Sequence, residues 1–219
     1  MMDAHCIMPR VTHHDRPNKA TRAISNRKYP TSNPANLIRN SRMKKIIALL
    51  ITALVTGCAT NFANKAPTEV ANALMVKNSE FDEKITYIGP QAFSETRRGI
   101  FVDNEVIQLI AVKDKKTNQV SYLVYTRIMY SSNWRFYNSI SLENGTQLAT
   151  SQQNRKVNTC TGAGCIFTEE FTFPIDRASL NISGSFKYRA NSKSGAENII
   201  TINKSYIDGF LLALKRHEI

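Results

Sequence analysis

Residues 105–112 read EVIQLIAV, residues 114–118 read DKKTN, and residues 119–130 read QVSYLVYTRIMY. The first stretch is an almost continuous apolar run. The last is long and rich in β-branched and aromatic residues, the side chains that suit a pleated surface. A short polar turn joins them, so the three together predict a β-hairpin. The pattern repeats outward. Residues 85–88 (ITYI) form a short strand that stops at Gly89-Pro90. Residues 135–142 alternate, with Phe136, Ile140 and Leu142 expected on one face and Arg135, Tyr137, Ser139 and Ser141 on the other. Asn144-Gly145 is a turn signal, and residues 146–150 are expected to return. Residues 164–173 place Phe167, Phe171 and Phe173 on one face, and strands at 185–190 and 198–202 flank a polar turn.

The chain closes on an amphipathic segment, 205–216, with Tyr206, Ile207, Phe210, Leu211 and Leu214 on one stripe and Ser205 to Asp208 resembling a capping box. Several short strands and one terminal helix predict a mainly β fold: an antiparallel β-sandwich or curled sheet with the C-terminal α-helix packed on it. Residues 84–219 are read as a single β-rich domain. Residues 59–67 are small and polar and read as a tether, and residues 68–77 (TEVANALMVK) as a possible short helix, so that 58–83 lead into the domain.

The chain has 219 residues and a formal charge of +12. That charge is uneven. Residues 1–42 carry eight basic residues against Asp3 and Asp15, hold four of the seven prolines, and lack apolar periodicity, a composition that cannot bury enough surface to fold. From residue 58 onward 19 basic residues face 15 acidic ones, a balance of +4. A nucleic-acid-binding reading built on the whole-chain charge loses most of its support there.

Residues 43–58 read MKKIIALLITALVTGC. Lys44-Lys45, an apolar run over 46–55 and small residues Thr56-Gly57 before Cys58 give the order of a secretory signal peptide, and the run is too short to span a bilayer. The Val55-Thr56-Gly57-Cys58 end resembles the lipobox of bacterial lipoproteins. The resemblance implies acylation of Cys58, cleavage before it, and a mature chain of residues 58–219 attached to the membrane through lipid. With Ala rather than Asp at position 59, the same resemblance implies, for enteric-type bacteria, the outer membrane, facing the periplasm. Competing readings are a buried apolar helix with an incidental cysteine, and an organellar transit peptide over 1–42. Translation beginning at Met43 makes residues 1–42 an upstream extension. Cys160 and Cys165, Glu169, the strand at 199–202 and the Tyr-Ile-x-Gly-Phe-Leu segment at 206–211 also resemble uncharacterised proteobacterial lipoproteins, which brings no activity with it.

In an oxidising compartment the even pair Cys160 and Cys165 is expected to form a disulfide, with a redox dithiol and a half metal site as rivals. The catalytic inventory is thin. The only histidine after residue 58 is His217, and two cysteines with one distant histidine do not make a zinc site, so no metal or other cofactor is expected. Glu169 and Glu170 point to opposite faces of a strand. Glu169 shares a face with Phe167 and Phe171, and there a carboxylate needs a cationic partner or a raised pKa. The group Tyr130, Trp134, Phe136 and Tyr137 with Arg127 and Arg135 reads either as a ligand platform or as the core and rim of the sheet. The functional expectation is a non-enzymatic binding or assembly module with an envelope protein or glycan as partner. The alternative is a glycan hydrolase using Glu169, or Asp103 and Glu105, marked by two carboxyl groups facing across an open cleft.

Overall fold

The computed structural model describes residues 60–219 apart from Ala163 and Ile182. The readings placed on residues 1–42, on 43–57 and on Cys58 lie outside the described residues. Among those described, no helix is long and apolar enough to cross a membrane.

The elements are α1 (Pro67–Asn72), β1 (Met75–Lys77), β2 (Lys84–Ile88), β3 (Ala92–Arg98), β4 (Phe101–Asp114), β5 (Val120–Ser131), β6 (Tyr137–Leu142), β7 (Gln147–Ala149), β8 (Ser151–Thr161), β9 (Gly164–Ile175), β10 (Phe186–Ser192), β11 (Glu197–Ile202) and α2 (Lys204–Arg216). They build two antiparallel sheets and a C-terminal helix. The larger sheet has seven strands in the order β1-β2-β4-β5-β9-β8, with β3 paired to the same long strand β4 that β2 uses further along. The smaller has the order β11-β10-β6-β7. The β4–β5 hairpin is the one read from residues 105–130, with Gln108 opposite Tyr125. Its turn is held by the Asp114 carboxylate, which accepts the Lys116 and Thr117 amides at 2.9 Å each.

The inner face of the large sheet is covered side by side by the small sheet and by α2. Phe173 meets Tyr188 with ring centroids 4.9 Å apart, Tyr137 meets Phe171 at 5.7 Å, and the Thr126 and Tyr188 hydroxyls are hydrogen-bonded across the interface at 2.7 Å. On α2, Tyr206, Ile207, Phe210, Ala213 and Leu214 are buried, whereas Leu211 lies at the margin. Two glycines allow the close packing of this helix. A Cβ on Gly89 would lie 2.7 Å from the Tyr206 hydroxyl oxygen, and one on Gly209 would lie 2.5 Å from the Val70 Cβ of α1.

Four expectations change. The first helix ends at Asn72, and Met75–Lys77 is instead an edge strand on β2. The segment read as a tether is docked from residue 61. The Asn61 carboxamide oxygen accepts the Phe93 amide of β3 at 2.9 Å, and Phe62 and Ala63 pack on the core. Helix α2 is entered through Asn203, not Ser205, and Asp208 pairs with Lys204 at 2.5 Å rather than closing a capping box. The last change concerns β6. Ser139 opposes Asn191 and Tyr137 opposes Ser192, so Asn138 is an extra residue on one strand only, a β-bulge. A bulge inverts the alternation beyond it. Tyr137 and Ile140 therefore both point inward, and Phe136 is exposed.

Candidate functional site

The part of the molecule richest in chemistry lies at one end of the sandwich, where residues 132–136 connect β5 to β6. Sequence alternation alone would carry the chain straight through, but Ser132 and Phe136 take positive φ values of 97° and 58°. For residues with a Cβ this left-handed geometry is unfavourable and needs support from its surroundings. Glu169 of β9 supplies it at Phe136. The residue is fully buried. Its Oε1 accepts the Phe136 amide at 2.8 Å, the Arg135 amide at 3.3 Å and the Tyr130 hydroxyl. Its Oε2 accepts the Tyr137 amide at 3.1 Å and Arg155 Nε at 3.0 Å. The expected salt bridge is thus present, and three consecutive backbone amides join it.

A second buried carboxylate, Asp103 of β4, receives Arg135. The guanidinium reaches Oδ2 through Nη1 at 2.5 Å and Oδ1 through Nη2 at 3.0 Å, a two-pronged geometry that favours an arginine over a lysine. Arg98 Nε adds a contact to Oδ2 at 2.9 Å. Burial pushes the Asp103 carboxyl up, but hydrogen bonds from Arg135 and Arg98 and the Arg135 charge outweigh it, so the group lies below its ordinary 3.8. Burial would likewise depress Arg135, yet Asp103 holds it above its usual range. The guanidinium also sits over the Tyr130 ring at 4.1 Å, a cation–π contact.

Asn198 of β11 ties this arrangement to the small sheet. Its Nδ2 donates to Glu105 Oε1 at 2.8 Å and to Asp103 Oδ2 at 3.1 Å, and its Oδ1 accepts the Tyr137 hydroxyl and Arg98 Nη2. Ser94 Oγ donates to the other Glu105 oxygen at 2.8 Å. Burial pushes the Tyr137 hydroxyl up to about 12, against the influence of Arg135.

The residues read together as a platform are not one surface. Arg135 and Tyr137 are buried in the network just described. Trp134 is half-buried and sits edge-on to Phe167 with centroids 4.7 Å apart. Arg127 points from the opposite face of β5, where it lines a shallow hollow of about 330 Å³ with Met129, Lys156, Asn158, Ile166 and Thr168. The core-and-rim reading describes Arg135 and Tyr137. The carboxylates weighed for hydrolysis, Asp103, Glu105 and Glu169, are interior groups whose oxygens accept hydrogen bonds from within the protein. They act as acceptors that fasten two sheets and a strained loop, and the placement leaves none of them as a free base.

Cys160 and Cys165 oppose each other in the β8–β9 hairpin at bonding distance, S–S 2.05 Å, so the pair closes the hairpin tip locally. His217 lies against the Tyr87 ring, centroids 5.4 Å apart. Among the described residues no group of three or more His, Cys, Asp or Glu is placed to hold a metal ion. Arg98, Asn198, Ser94 and Arg155 were not singled out from the sequence. Only a buried Glu169 pointed to the need for one cation, and nothing local identified Arg155 as that cation. Comparison with protein-family models, curated proteins and solved structures returns no match.

Proposed function

We propose that the protein is a lipid-anchored component of a bacterial cell envelope, attached through Cys58 at the outer membrane and facing the periplasm, where it works as a binding or assembly module. The observation that carries this reading is the order of residues 43–58: two lysines, a ten-residue apolar run, two small residues and a cysteine. The folded part agrees in its layout. Asn61, three residues after Cys58, is already fastened to β3, so an acyl chain on Cys58 would hold the domain close to the bilayer. The buried carboxylates count against the hydrolase alternative, since Asp103 and Glu169 spend every oxygen on internal donors. The cysteines at 160 and 165 suit an oxidising compartment.

The test is metabolic labelling with radioactive palmitate. Wild-type protein should take up label and migrate as a shortened form, and Cys58→Ser should accumulate as a longer, unlabelled precursor. Equal labelling of both proteins would overturn the assignment.

A further inference from the structure

Ten large hydrophobic side chains are exposed among the described residues, and six of them gather at one end of the sandwich. They are Ile100, Phe101 and Val102 at the β3–β4 turn, Phe136 in the β5–β6 loop, and Val157 and Ile166 near the tip of the β8–β9 hairpin. Strand register places them together. Arg98 opposes Phe101, Asn104 opposes Met129, Ser131 opposes Ile166, and Cys160 opposes Cys165, so the three connections leave the large sheet at the same edge of its strands. The β10–β11 turn joins them, because the Lys193 amide donates to the Phe136 carbonyl at 3.1 Å. Ile100 is 92% exposed beside Gly99, whose φ of 61° makes the turn.

Cations rim this end. Arg97 is exposed at the turn, and Lys156 and Lys193 are exposed without a carboxylate partner among the described residues. Two carboxylates lie nearby, and each already faces an arginine: Glu95 with Arg97 at 3.9 Å and Glu197 with Arg189 at 3.5 Å. Apolar loop tips with cations behind them match the boundary between acyl chains and headgroups, where apolar side chains enter and positive charges meet anionic lipid. The buried network beneath, with Glu169 holding the Phe136 loop and Arg135 joined to Asp103, gives those tips a rigid base.

We infer that this end of the domain is a second membrane contact, seating Ile100, Phe101 and the neighbouring tips in the headgroup layer of a bilayer containing anionic lipid. The inference rests on the lipid-anchor reading for its geometry. Cys58 to Asn61 spans at most about 11 Å, and Asn61 is fixed to β3 at Phe93. From Phe93 the strand runs roughly 23 Å to Ile100. An anchor and a tip on one bilayer therefore incline β3 by at most about 30° to the membrane plane, with the domain reclining rather than standing.

The experiment reads the depth of single tryptophans. The sole native tryptophan is removed as Trp134→Phe, and Ile100→Trp or Phe81→Trp is added to the full chain. Phe81 is the control, because it is 89% exposed in the β1–β2 loop, toward the Lys84–Asp114 end of the sheet. Protein purified from membranes is reconstituted in phosphatidylethanolamine–phosphatidylglycerol vesicles with brominated acyl chains. The expected result is blue-shifted, bromine-quenched emission at position 100 and water-like, unquenched emission at position 81. Quenching at 81 alone, at both positions, or at neither overturns the inference. Palmitate labelling is scored separately on the same preparations. A labelled chain with an unquenched Trp at 100 keeps the anchor and loses the second contact, and an unlabelled chain with a quenched one does the reverse.

Discussion

Replacing Glu169 by glutamine removes one charge and exchanges one acceptor for a donor, with almost no change in volume. The amide must choose an orientation. With its nitrogen in place of Oε1 it would confront the Phe136 and Arg135 amides, both donors, so the better placement puts it at Oε2, facing the Tyr137 amide and Arg155. Arg155 is about a third exposed and can turn to water, losing little. The Tyr137 amide is buried and cannot, and an unsatisfied buried donor costs about 1–3 kcal/mol. The donors left at Oε1 then bond to a neutral oxygen, which weakens each charge-assisted contact by roughly half. The positive φ at Phe136 loses part of its support as well. The total is about 3–5 kcal/mol, in the range for breaking one side of a buried pair. For a domain of this size that lowers Tm by about 6–20 °C. Urea unfolding followed by circular dichroism, with a thermal scan beside it, measures both quantities. Glu143→Gln, an exposed residue 3.4 Å from Lys187, is the control and should stay within about 0.5 kcal/mol. A loss below about 1 kcal/mol for Glu169→Gln would refute the view that this carboxylate holds the loop.

Arg135 and Arg98 keep the folded Asp103 below its ordinary 3.8 in spite of burial, so its pairing contributes stability that is complete above that value and is lost as pH falls through the lower folded pKa. Asp103→Asn should therefore be less stable than wild type at neutral pH, with the gap narrowing under acid; a constant gap down to full protonation would count against the pairing. At alkaline pH, burial pushes Tyr137, and burial with Glu170 pushes Tyr125, to about 12 from an ordinary 10.0. Unfolded tyrosine ionises first, so stability is complete below pH 10 and falls between there and about 12; tyrosinate absorbance should rise together with loss of near-ultraviolet dichroism, not ahead of it. Gly209→Ala puts a methyl group 2.5 Å from the Val70 Cβ and should destabilise by about 1–3 kcal/mol despite the better helix propensity of alanine; a stabilised variant would mean that α1 is not seated on α2. Thiol titration of the unreduced protein should find Cys160 and Cys165 unreactive, and two free thiols from that pair would contradict the hairpin bridge.

The hairpin and the terminal helix are legible in the chain because each has one long apolar pattern of a single period, 105–130 for the strands and Tyr206 to Leu214 for the helix. Strands β3 and β8 are not. Residues 92–98 (AFSETRR) and 151–161 (SQQNRKVNTCT) are mostly polar, and they become strands through pairing with β4 and β9 rather than through a buried face of their own. The bulge at Asn138 is invisible for a different reason: it is defined by the register with β10, about fifty residues away, and shifting a strand by one residue exchanges its faces. That one residue reversed the reading of Phe136 and Tyr137. The candidate site was legible only as separate pieces. Glu169 among phenylalanines announced a buried charge, but Asp103, Arg135 and Asn198 come from two strands and a connecting loop, about 30 to 95 positions apart, and no local pattern records their meeting.

The loop that Glu169 holds also has a place in time. Between Phe136 and Glu169 the chain crosses to the small sheet, builds β6 and β7, and returns through β8 before β9 can lie beside β5. The carboxylate reaches the three amides only once β9 has come back beside β5, so the contact closes a long loop. Interactions made after the transition state leave the folding rate almost untouched and act on the unfolding rate. If the network at this end of the sandwich closes after the transition state, Glu169→Gln should speed unfolding while refolding after dilution from urea keeps its pace, and a slowed refolding limb would place the contact in the transition state instead.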